Sequence, residues 1–304
     1  MKEKMAKKVL SIATIAILAV GAAMFISCEK EGDVSSIVKE TNYTISTKSS
    51  EDIARIDEMS LEIADFHDVA MEAWIYKMGS DVTPWDENYY AKVIDLLKSV
   101  ANQYDFSELE RSFLLHELTT NAKTYNMIAD IATGPEDDFI AYFTNTPQST
   151  LDNNLVLQKT NTIFDSLEIL FVTAKSYDEF EKRYTMMVDF QVSDISNKDD
   201  YAAVRFYSDL ALSSLNTWGN YFFGTNEYAK AKDKKKWFEN VCASLKYTWD
   251  NYLKEPVKAD AVGGLSATVT AITSGVYTLE GIGTAFAAGA AVSSISKIID
   301  MLTD

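Results

Sequence analysis

The chain has 304 residues, of which 47% are hydrophobic and 24% charged, values that fit a folded globular protein with a sizeable core. Its formal net charge is −17 at pH 7. Because binding to nucleic acid needs clustered positive charge, this balance argues against DNA and RNA as partners. Only two histidines and two cysteines are present, which disfavours a metal site with nitrogen and sulfur ligands. We expect neither a metal nor another cofactor.

Residues 1–27 predict a signal peptide. Four lysines precede an uncharged apolar run over residues 9–26. This is the arrangement of an export signal, which is cleaved from the mature protein. The run ends in Phe25-Ile26-Ser27-Cys28, which resembles the lipobox of bacterial lipoproteins, although Phe25 stands where that family prefers leucine. The alternative is a single-span anchor. Removal of residues 1–27 takes a net +3 from −17 and leaves a mature chain of −20.

The residues after Cys28 resemble the surface-export signal of Bacteroidota lipoproteins, in which a lysine and acids follow the lipidated cysteine; here they are Lys30, Glu31 and Asp33. The two resemblances imply that Cys28 carries the acyl chains (diacylglycerol, palmitate) and that the protein lies at the outer membrane and faces the cell exterior. They imply nothing about the fold. Residues 28–50 are polar and rich in Ser and Thr, so we expect a lipidated, flexible tether.

Residues 51–258 predict a helical bundle. Ile53, Ile56, Ile63 and Phe66 recur at helical spacing, and glycine is scarce before residue 259. Helix-start signals stand at Thr83, Ser107 and Ser176, and Pro256 is expected in a connection. Further helices are expected over 109–131, 151–174, 180–192, 201–223 and 229–253. The predicted fold class is all-α, a multi-helix bundle with a C-terminal Gly/Ala-rich helical hairpin.

Residues 259–304 form that predicted hairpin, with its turn at 277–283. Small residues recur four apart and so share one helix face, which allows two backbones to approach closely. This packing ridge consists of Gly263, Ala267, Ala271 and Gly275 in the first arm and Gly281, Ala285, Gly289 and Ser293 in the second. The hairpin either packs in the bundle core, associates with another copy, or inserts into a membrane, since residues 261–279 carry no charge and approach the ~20 residues that span a bilayer.

The hairpin resembles those of class II bacteriocins, and together with the long helices it resembles α-helical pore-forming toxins. It is also similar to the Gly/Ala-rich C-termini of uncharacterised Bacteroidota lipoproteins. These likenesses cover about forty residues at the C-terminus. They imply no catalytic residue.

Catalytic signals are weak. His116-Glu117 could begin a zinc-protease motif, but Thr120 stands where the second histidine is required. His67 follows Phe66 on an apolar stripe and is interpreted as a partly buried helix residue. Cys242 has no partner after loss of the signal peptide, and we expect a buried structural thiol.

Two features of the surface point to binding. A lysine cluster suggests contact with an anionic surface, with a solvated helix start as the alternative; it consists of Lys230, Lys232, Lys234, Lys235 and Lys236. Aromatic residues are dense between Tyr201 and Tyr252. They are interpreted mainly as helical core, with a sugar-stacking face as the alternative.

Three functions are compatible with these features. The first is a lipid-anchored, non-enzymatic surface protein whose helical body binds a protein or glycan ligand. The second is a membrane-active protein that inserts its C-terminal hairpin. The third is a glycan-acting hydrolase whose carboxylates the sequence does not identify.

Overall fold

The computed structural model describes residues 47–78, 86–125, 151–224, 236–273, 276 and 278–303. Within these residues there are ten α-helices, one π turn and no β-strand, which confirms the predicted all-α bundle. The helices in chain order are α1 (Ser50–Met78), α2 (Glu87–Gln103), α3 (Glu108–Thr120), α4 (Asn153–Thr173), α5 (Tyr177–Ser193), α6 (Lys198–Phe223), α7 (Lys236–Val241), α8 (Leu245–Thr248), α9 (Lys254–Thr273) and α10 (Leu279–Thr303). The π turn (Trp249–Leu253) joins α8 to α9.

Side-chain caps define the helix starts. Ser107 and Glu110 form the predicted reciprocal capping box at α3, which satisfies two backbone N–H groups that the helix leaves free. Ser176 accepts a hydrogen bond from the Glu179 N–H at the start of α5. The α2 cap is Asp86, whose carboxylate accepts from the Tyr89 N–H, whereas the start signal at Thr83 lies outside the described residues.

The helix predicted over 229–253 is helical in most of its described part but is not continuous. Helix α7 ends at Val241, a turn follows, and α8 continues through the π turn into α9. Pro256 lies inside α9 rather than in a connection. It follows the π turn directly, in the first turn of α9, where a missing N–H is tolerated. The first arm of the hairpin therefore begins at Lys254.

The hairpin α9–α10 forms the centre of the fold. Its two helices pack against each other, while α1 and α6 cover one side and α3 contacts α10. Every residue from Gly281 to Ser296 is buried. Helix α10 is long and apolar enough to cross a membrane, but 94% of its apolar window lies inside the protein, as in the core helix of a soluble bundle.

The α9 and α10 backbones approach closely where the packing ridge predicts it. Gly263 and Ala267 face Gly289 and Ser293 across the antiparallel pair. A Cβ atom on Gly289 would lie 2.5 Å from the Gly263 carbonyl oxygen, so no larger residue fits without moving the backbone.

The other ridge residues have different environments. Ala271 and Ala285 are buried, and Gly275 lies outside the described residues. Gly281 faces Val276 and Thr278. The predicted turn is displaced, because α10 already begins at Leu279 and so places Gly281 in its first turn.

We expect Gly289→Ala to destabilise the protein by ~1–3 kcal/mol, because the new methyl group meets the Gly263 backbone and overpacks the centre. Gly283→Ala is the matched control. Its methyl group meets the flexible thioether of Met59, so we expect a small change or a gain in helix stability. Urea unfolding followed by circular dichroism measures both. Equal effects of the two substitutions would contradict the close contact.

Candidate functional site

A charged pair lies at the centre of the bundle. His67 of α1 and Asp260 of α9 are both fully buried, with 3.1 Å between His67 Nε2 and Asp260 Oδ2. The same carboxylate oxygen accepts hydrogen bonds from the Ser214 hydroxyl at 2.5 Å and the Trp218 indole N–H at 2.9 Å, both from α6. Ser294 of α10 lies 3.4 Å from His67 Nε2. This pair therefore connects α1, α6, α9 and α10.

Asp68 provides a second carboxylate beside the pair. It accepts hydrogen bonds from the hydroxyls of Ser213 and Thr217, and its Oδ1 lies 3.8 Å from His67 Nδ1. Burial alone would lower the pKa of His67, but the Asp260 carboxylate and then Asp68 outweigh it and raise the pKa to about 9. Burial would raise the pKa of Asp68, yet the nearby His67 and the hydrogen bonds from Ser213 and Thr217 lower it. The imidazolium thus lies between two carboxylates.

This network acts as a structural element rather than a catalytic centre. His67, Asp260 and Ser214 are residue types of a nucleophilic triad, but the Ser214 hydroxyl donates to the carboxylate and not to the imidazole. All three side chains are sealed from solvent. Sequence analysis placed His67 as partly buried and did not identify Asp260 as its partner. The available signal was Asp260 directly before the uncharged run 261–279, because a carboxylate buried there needs a cation or hydrogen-bond donors.

The chain enters the bundle at one end. Lys48 N–H donates to the Ser196 carbonyl at 2.9 Å, and the Lys48 ammonium lies 4.4 Å from the centre of the Tyr201 ring. Tyr201, near the start of α6, donates to Asp57, near the start of α1. Ser213, later in α6, contacts Asp68. Helices α1 and α6 therefore run parallel, and residue 47 lies at the end where both begin.

An aromatic cluster lies at the opposite end, where α6 ends. Tyr221–Phe222, Phe222–Tyr252, Phe223–Tyr252 and Tyr247–Tyr252 have ring centroids 4.9, 5.6, 5.2 and 6.1 Å apart. Tyr247 is 61% exposed and the other four rings are partly buried. With α6 rising about 1.5 Å per residue over 26 residues, the cluster lies roughly 39 Å from the entry end. We call these five residues the distal aromatic cluster.

The π turn positions part of this cluster. Within one wide turn it directs Trp249 into the core, where it is fully buried, and leaves Tyr252 at the surface. Such turns often occur at functional sites because they rotate side chains relative to the preceding helix. The Tyr252 hydroxyl donates a hydrogen bond to Tyr247, which favours the neutral phenol and raises the pKa of Tyr252. The two phenols are thereby held together.

The aromatic residues thus fall into two groups. Trp218, Trp237, Phe238 and Trp249 are fully buried or nearly so, as the core interpretation predicted. Tyr221, Phe222, Phe223 and Tyr252 are partly buried, and sequence analysis did not single out Tyr247, which joins them and is exposed. Spacing along the chain cannot separate the aromatic residues after Val241, since the break there changes the helix face that each of them occupies.

The remaining candidate residues are distributed as follows. Lys236 is exposed at the start of α7. Cys242 is exposed and donates to the Glu239 carbonyl, so the expectation of a buried thiol is wrong, because the residue lies in the turn after α7. Outside the described residues lie the predicted lipidation and export residues and most of the lysine cluster, namely Cys28, Lys30, Glu31, Asp33, Lys230, Lys232, Lys234 and Lys235.

Comparison with known proteins adds no assignment. No family model matches the chain, and neither a curated protein nor a solved structure is significantly similar to it.

The buried histidine predicts how stability depends on pH. The pKa of His67 is about 9 in the folded protein against 6.5 as its ordinary value, so its contribution is full below about pH 6.5 and is lost as pH rises through about 9. Asp68, whose pKa is lowered, contributes above 3.8 and loses its contribution as pH falls further.

The free energy of unfolding of the wild type, measured with urea, should therefore be lower at about pH 9.5 than at about pH 6. We expect His67→Gln to remove most of this fall. His116→Gln is the control, because it changes the other histidine, which is exposed on α3. A fall that persists in His67→Gln would contradict the assignment.

Proposed function

We propose that this protein is a lipid-anchored protein of the outer membrane that faces the cell exterior and uses its helical body, without catalysis, to bind a ligand. The observation that carries the proposal is the complete burial of His67 and Asp260. These groups hold four helices together and are inaccessible to a substrate. The surface of the bundle is therefore what remains for a partner to contact.

The position of the anchor supports this proposal. Lipidation at Cys28 would leave residues 29–46 between the acyl chains and the bundle, a segment that can span up to roughly 60 Å when extended. The bundle begins at Thr47, beside the starts of α1 and α6. An anchor attached at this end leaves the opposite end, with the distal aromatic cluster, away from the attachment point.

Membrane insertion of the hairpin is the second candidate, favoured by the length and apolar character of α10. Insertion would separate α9 and α10 from α1 and α6. It would also expose Asp260 and His67, which interact across those helices. The proposal therefore places the hairpin in the core of the folded protein. Membrane insertion and glycan hydrolysis are the alternative functions.

The anchor is tested by Cys28→Ser in cells. We expect the wild type to incorporate a clickable palmitate analogue and to fractionate with membranes, and the variant to lose both, because the thiol is the acyl acceptor. Cys242→Ser is the matched control, since it removes the only other cysteine. Retention of label in Cys28→Ser would refute the anchor. Proteinase K treatment of intact cells then tests exposure, with Lys30→Ala/Glu31→Ala/Asp33→Ala expected to protect the protein from digestion.

The role of the hairpin is tested with dye-loaded liposomes that carry the full-length lipidated protein. We expect no dye release, because 94% of the apolar window of α10 is buried. Detergent addition defines complete release. Dye release by the wild type would contradict the core role and favour the membrane-active alternative instead.

A further inference from the structure

We propose that the distal aromatic cluster is a carbohydrate-binding site. This inference rests on the proposed function, because it identifies the part of the helical body that contacts the ligand and the chemical class of that ligand. It follows from the arrangement of five rings, the polar groups beside them and their position relative to the entry end.

The rings form a connected and rigid surface. Phe223 meets Tyr252 at 84° and Tyr221 meets Phe222 at 69°, so each ring is held by the edge of its neighbour. Tyr221 also packs at 86° on Trp218, which is fully buried and donates to Asp260. The cluster is thereby connected to the central charged pair. Rings that are already ordered lose little entropy when a ligand binds.

Polar residues flank Tyr247 and Tyr252 along the chain. Lys246, which precedes Tyr247, donates through its ammonium to Glu168 at 2.7 Å and to Asp250 at 2.8 Å. The Asn251 side-chain amide donates to the Tyr247 carbonyl at 2.8 Å. Aromatic rings that carry phenol hydroxyls, with the Asn251 amide adjacent, match a sugar, which has apolar C–H faces and hydroxyls at its rim.

The size of the cluster favours a carbohydrate over a protein partner. At about 200 Å² per aromatic side chain, with Tyr247 61% exposed and the other four rings partly buried, the exposed part of the five rings amounts to roughly 200–400 Å². A stable protein interface buries about 800 Å² on each partner. A few sugar units fit the smaller area.

Charge and burial disfavour a bilayer as the occupant. The mature chain has a net charge of −20, which opposes approach to anionic headgroups. Phe222 and Phe223 are mostly covered rather than protruding as membrane-inserting side chains do. The cluster is also at the far end of α6 from the residue where the anchored chain enters.

The test uses the full-length lipidated protein in mild detergent and affinity electrophoresis in native gels. The gels contain laminarin or soluble starch as neutral polysaccharides, or polygalacturonate or chondroitin sulfate as acidic ones. We expect at least one polysaccharide to retard the protein. Tyr247→Ala and Tyr252→Ala should each weaken that retardation about tenfold, because each removes a stacking ring. The net charge of −20 also predicts that the retarding polysaccharide is neutral, so retardation by the acidic polysaccharides alone would contradict the inference.

Phe190→Ala is the matched control, because Phe190 is a 74% exposed aromatic residue on α5, away from the cluster. Unchanged retardation in this variant supports the site, and thermal melting verifies that all variants fold. Failure of all four polysaccharides to retard the wild type overturns the inference, as does an equal loss in Phe190→Ala. Liposome binding that Tyr247→Ala abolishes overturns it in favour of a bilayer. A failure of the proposed anchor would be recognised separately, because Cys28→Ser would then retain the acyl label.

Discussion

The close contact between Gly263 and Gly289 is the constraint on which the rest of the bundle depends. Because neither residue has a side chain, α9 and α10 meet through their backbones, and a single added methyl group would lie 2.5 Å from a carbonyl oxygen. The resulting thin hairpin fits between α1, α6 and α3. Glycine disfavours a helix by about 1 kcal/mol relative to alanine, and the dispersion contacts of the close pair offset that loss.

The charged pair fixes the register of this hairpin against α1 and α6. Small-residue surfaces are smooth and permit a helix to slide or rotate, whereas the interaction of Asp260 with His67, Ser214 and Trp218 exists in only one register. Removal of one partner would leave an uncompensated charge in an apolar environment, at a loss of ~3–5 kcal/mol. Close packing therefore brings the helices together, and the buried charges select their alignment.

The alignment has consequences at both ends of the molecule. Since α1 and α6 run parallel, the entering chain and the distal aromatic cluster lie at opposite ends of α6. The contact of Tyr221 with Trp218, which itself donates to Asp260, makes the surface rings continuous with the central pair. A rigid core thus supports a small, ordered aromatic surface away from the proposed anchor, which is the arrangement expected of a binding protein held at a membrane.

The sequence by itself determined the helical class, because apolar spacing, caps such as Ser107 and scarce glycine are local properties of the chain. It also determined that Gly263 and Gly289 belong to small-residue faces. Tertiary structure alone decided that His67 meets Asp260, that Trp249 is buried while Tyr247 is exposed, and that Cys242 is exposed. The physical reason is that these outcomes depend on distances between helices far apart in sequence, which periodicity within one helix does not contain.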